Sequence, residues 1–127
     1  MDGAVAQRLG ERVVHEPVLV DELLGLFDRM TPSDQSPLLA AYAARFRARL
    51  LELRGDRDAA SALRTRAIDE FRALEMPHHV AITLLEQAEA GVGDTPASLA
   101  EAREIFERLG AKPWLERVDA AERAVAV

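Results

Sequence analysis

Proline and glycine cut this chain into helix-length pieces. Pro17, Pro37, Pro77, Pro96 and Pro113 each head a stretch with helical apolar spacing, while Gly55, Gly91 and Gly110 each close one. A proline in the first helical turn loses nothing, because its missing N–H would have had no intrahelical acceptor. A glycine just past the last turn accepts the backbone that ends a helix. No segment alternates apolar and polar residues as a half-buried strand would. The chain is therefore expected to be all-α.

Residues 1–15 read as a weakly ordered or short helical N-terminal segment, with Val5, Leu9 and Val13 on one face, and 16–127 as a single helical domain. Pro17 opens VLVDELLGLFDRM, whose apolar positions spread over more than one stripe. Such a helix is either deeply buried or half of an interface, so Leu19, Leu23, Leu26 and Phe27 are candidates for a homodimer contact. The loop TPSDQSP places Ser36 as a cap and Pro37 at the start of LLAAYAARFRARLLELR. In the turn RGDRD, Asp56 can cap a helix over 57–75 whose inward face is Ala60, Leu63, Ala67, Phe71 and Leu74. MPHH restarts the chain into VAITLLEQAEA, and GVGDTP then opens PASLAEAREIFERL with Thr95 as the expected N-cap. After Gly110, the last helix carries Trp114, Val118, Ala121 and Val125 on one face.

The pattern repeats. Shifting AIDEFRAL (67–74) by 35 residues lays it on AREIFERL (102–109), matching Ala67 to Ala102, Phe71 to Phe106 and Leu74 to Leu109. The following helix begins at Pro77 in one copy and Pro113 in the other. A period of about 34–36 residues with helix–turn–helix units marks a helical solenoid.

The stretch LLELRGDRDAASALRTRAIDEF resembles one tetratricopeptide repeat, with Gly55-Asp56 in the inter-helix turn and Ala60 and Ala67 at the small crossing positions. The tail EAREIFERLGAKPWLER is similar to the ends of the tetratricopeptide-like C-terminal regions of bacterial signalling proteins, which couple an ATPase module to a cyclase or a helix-turn-helix domain. The resemblance implies a short right-handed solenoid of antiparallel helix pairs, closed by a C-terminal capping helix. It implies a non-catalytic protein–protein interaction module, a regulatory or sensory segment of a signalling protein. The alternatives are a self-associating domain and a free-standing adaptor that binds an acidic peptide. No GxxxxGK[ST] loop or cyclase-like region occurs, so those activities do not carry over. Aligned on Gly55, the concave face would hold Tyr42, Arg45, Arg49 and Glu52, where the class often receives an acidic peptide. Guanidinium groups suit that ligand through forked, charged hydrogen bonds. The same arginines would also be accounted for as a solvated face paired with nearby acids.

Composition narrows the rest. The net charge is −6, which argues against direct nucleic-acid binding, although residues 45–66 hold seven arginines against three acids. The absence of cysteine removes disulfides and thiolate chemistry. His78 and His79 are adjacent, and residues about 100° apart on a helix do not make a zinc pair, which wants a spacing of four. A helix-start or core role is expected for them, with no metal or other cofactor. Neither a leader-like segment nor a run of ~18 apolar residues is present, so a cytoplasmic protein away from the membrane is expected.

Overall fold

The structure, a computed structural model, describes residues 17–31 and 33–126, with side chains from residue 21 onward. The expected N-terminal segment 1–15 lies outside the described residues. Six α-helices and no strand occur among them: α1 (Pro17–Arg29), α2 (Pro37–Leu53), α3 (Arg57–Ala73), α4 (Pro77–Glu89), α5 (Thr95–Leu109) and α6 (Lys112–Ala126). The chain divides into two compact units, 1–67 and 68–127, with the boundary inside α3.

In the first unit α1 packs on α2. Leu24, Ala43 and Leu50 form the buried contact, and Leu23, Phe27 and Phe46 close around it. Ion pairs tie the same two helices together: Asp28 accepts two hydrogen bonds of 2.9 Å from Arg47, and Asp21 accepts one from Arg54. Gln35 fastens the connecting loop by donating to the carbonyls of Phe27 (3.1 Å) and Met30 (3.2 Å). As the sequence suggests, Ser36 caps α2, accepting from the Leu39 N–H at 3.1 Å.

In the second unit α4 packs against both α5 and α6, and α5 against α6. Val80, Ala81, Ile82, Thr83, Leu84, Leu85 and Ala88 are all buried, so α4 is covered on nearly every side. Phe106 stacks on Trp114 at 5.6 Å with an interplanar angle of 11°, and His78 meets both rings edge-on at 5.9 Å. Trp114 and His78 are half-buried members of an aromatic cluster, and Val118 beneath α6 is fully buried. Thr95 is not the cap of α5. Asp94 is, because its carboxylate reaches the Ala97 N–H at 3.1 Å while Thr95 is already helical.

Four helix ends share one backbone device. Gly55, Glu75, Gly91 and Gly110 all have left-handed φ (87°, 56°, 72° and 66°). After each, the next N–H donates back to a carbonyl five residues earlier: Asp56 to Leu51, Met76 to Phe71, Val92 to Gln87 and Ala111 to Phe106. This is the bonding of a Schellman C-cap, which satisfies carbonyls that a helix end leaves open. Gly55 and Gly91 are 36 residues apart, and Glu75 and Gly110 are 35 apart. Glu75 is the one non-glycine among these four.

Candidate functional site

The face of α2 expected to carry a groove is largely interior. Tyr42 and Arg45 are buried, at 3% and 6% exposure. The Tyr42 ring lies 5.7 Å from Phe46, and the Arg45 guanidinium stands over the same Phe46 ring at 5.6 Å. Burial pushes the Tyr42 phenol up from its ordinary range, against a smaller opposing pull from the Arg45 charge. Arg49 is partly exposed and donates to Glu52 one turn on. Glu52 also meets Arg64 of α3 at 2.7 Å, and Arg64 is only 1% exposed. That contact is an ion pair by distance whose N–H groups are not aimed for a hydrogen bond. Half of the expected row of open side chains is therefore enclosed, and the other half is neutralised internally.

Arg64 was hidden in the sequence by its neighbours, an arginine-rich run that reads as solvated. A signal existed: with Ala60, Ala67 and Phe71 it falls on a stripe of helical spacing, and those three are fully buried.

The four interface candidates on α1 part company. Leu23 and Phe27 pack into the cluster with α2, since they lie on the side of the helix that carries Leu24. Leu26 points away and is 56% exposed. The side chain of Leu19 lies outside the described residues.

The second unit carries a groove of about 400 Å³ between the end of α3, the start of α4 and the middle of α5. Met76, Pro77, Val80 and Ile105 give it an apolar floor. Its rims are charged. Arg72 donates to Glu101 through both terminal nitrogens, at 2.5 and 2.8 Å, and Arg108 donates to Glu104 at 3.3 Å. The Arg72 hydrogen bonds hold the Glu101 carboxyl below its usual range, with burial opposing, and Glu101 in turn holds Arg72 above its own. The third carboxylate on the rim is Glu75, which is exposed and forms no ion pair among the described residues. Its left-handed backbone makes it unusual, since that conformation is disfavoured for any side chain larger than glycine's. Sequence reading passed over Glu75, although the offset of 35 from Gly110 pointed to it.

Among the described residues, no group of three or more His, Asp or Glu side chains could hold a metal ion, and no helix is long and apolar enough to cross a membrane. No family model, curated protein or solved structure matches the chain.

Proposed function

We propose that the chain is a non-catalytic protein–protein interaction module of stacked antiparallel helix pairs, tetratricopeptide-like, acting as a regulatory or sensory segment of a cytoplasmic signalling protein. Its repeat character is supported by the left-handed caps recurring at offsets of 35 and 36. Two of the three matched pairs add support, since Ala67, Ala102, Phe71 and Phe106 are all fully buried, whereas Leu74 is half-buried and Leu109 is exposed. A repeat unit cannot bury its apolar face alone, so stacking is its route to a core.

The observation that carries the functional reading is Glu75. Left-handed backbone at a non-glycine residue costs on the order of 1 kcal/mol, and such residues gather where strain serves a task. Here the equivalent turn 35 residues later uses Gly110, so glycine suits the geometry and glutamate is the exception. Its carboxylate stands at the rim of an apolar-floored groove whose other carboxylates are already paired with arginine. The partner that fits is a protein segment with an apolar anchor for the floor and a Lys or Arg beside it for Glu75. Paired, ionised rim carboxylates suit recognition better than proton transfer, because a general acid needs a raised pKa and Glu101 has a lowered one.

The test is Glu75→Gly in the full chain. Removing the left-handed penalty stabilises the fold by about 0.5–1 kcal/mol. Partner capture from lysate, followed by mass identification, is expected to fall away in that same variant. A more stable variant that captures the same proteins as the wild type would sink the groove reading.

A further inference from the structure

Helix α1 has a second face that α2 does not use. Glu22, Gly25, Leu26 and Arg29 recur at the spacing that keeps residues on one side of a helix, opposite the Leu24 and Phe27 side that packs inward. Glu22, Leu26 and Arg29 are exposed and Gly25 is half-buried. The flanking acids Asp21 and Asp28 are neutralised by Arg54 and Arg47, whereas Glu22 and Arg29 form no ion pair among the described residues. Gly25 makes a notch: a Cβ placed there would meet nothing within 4 Å. Around it lies a shallow depression of about 490 Å³ lined by this stripe and Asp21.

We infer that this stripe is a twofold interface with a second copy of the same chain, α1 lying antiparallel on α1. An antiparallel pair centred between Gly25 and Leu26 puts Leu26 of each copy into the Gly25 notch of the other. It also sets Glu22 of each copy opposite Arg29 of the other, at both ends. A face that is complementary to itself under a twofold axis is what an isologous dimer requires. Glycine at the crossing lets the two backbones approach, and leucine is the knob that fills the gap. One helix pair buries less than the roughly 1,200–2,000 Å² of a standard interface, so dissociation on the order of tens of micromolar is expected. The inference stands apart from the groove at Glu75, since its residues and its readout are different.

Sedimentation equilibrium of the full chain from about 5 to about 500 µM tests it across that range. The wild type is expected to pass from monomer to dimer. Glu22→Arg alone and Arg29→Glu alone each place like charges at both ends and weaken association at least ~10-fold. An equimolar mixture of these two variants restores opposite charges at both ends, and a heterodimer of wild-type affinity is expected. Gly25→Leu fills the notch; it should raise the melting temperature, because glycine is a poor helix former, and still weaken the dimer by a similar factor. A wild type that stays monomeric throughout would overturn the inference. So would a mixture that stays monomeric, or Gly25→Leu associating like the wild type, since the contact would then lie elsewhere.

Discussion

Large side chains with almost no solvent contact are distributed unevenly between the two units. Phe71, Phe106, Ile82, Leu85, Thr83 and Val118 belong to the second, and in the first the one such side chain among the described residues is Arg64. The remainder of the first unit's buried set is dominated by alanine: Ala41, Ala43, Ala44, Ala48, Ala60 and Ala67. Alanine allows helices to approach closely but removes little apolar area from water, and burial contributes only about 25 cal/mol per Å². The first unit thus buries mostly small side chains around a modest leucine and phenylalanine cluster, and the second buries larger aromatic and aliphatic ones, while ion pairs link helices in both. Two all-helical regions can differ in the size of the side chains that fill their cores.

The chain carries a reporter for each, because its one tryptophan, Trp114, lies in the second unit and its one tyrosine, Tyr42, in the first. The largest effect is expected from Phe106→Ala. It removes a fully buried ring stacked on Trp114 and should cost about 3–5 kcal/mol, read in urea unfolding by tryptophan fluorescence. A loss below 1 kcal/mol would mean that the aromatic cluster is not what holds the second unit.

Next in size is Glu52→Leu, which leaves the Arg64 guanidinium buried without its counter-charge. Removing one partner of a buried pair costs about 3 kcal/mol, here followed by second-derivative absorbance of Tyr42. Adding Arg64→Met should recover most of that loss, since a buried pair exchanged for apolar residues of similar volume is often neutral. If the double variant is as unstable as the single one, Arg64 contributes through packing and not through charge.

The smallest effect concerns acid. The Glu101 carboxyl is held below its ordinary 4.5 by the Arg72 hydrogen bonds, so its contribution is complete above about pH 5 and is lost as pH falls through the lowered value. Both partners are more than a third exposed, and solvent screening keeps the contribution well under 1 kcal/mol. Arg72→Met should therefore lower stability by about a few tenths of a kcal/mol at pH 7, and by progressively less as pH falls through the lowered Glu101 value. A difference that does not shrink as the solution is acidified would assign the loss to the arginine stem.

How much of this was legible beforehand depends on whether the cause is local. Ser36 and Asp56 were read as caps and act as such, since capping needs only a side-chain oxygen and an N–H three residues on. Thr95 was displaced by Asp94 for the same reason: adjacent residues could both cap, and the choice turns on backbone angles at one peptide. Leu23 and Phe27 could not be told from Leu26 by composition. Only the placement of α2 decides which side of α1 is inward. The arginines show the limit most plainly. Arg45, Arg49 and Arg64 look alike in the chain, yet one lies over Phe46, one bonds within its own helix, and one is buried against Glu52.

The sequence by itself determined where helices start and stop, and the 35-residue spacing between like turns. Proline, glycine and capping side chains act through bonds and sterics only a few residues long. The tertiary structure alone decided which charges are enclosed, that the turn at Glu75 borders a groove, and that Glu22, Gly25, Leu26 and Arg29 are left facing outward. Burial and pairing depend on residues distant in the chain, and no local rule specifies which helix face its neighbour will cover.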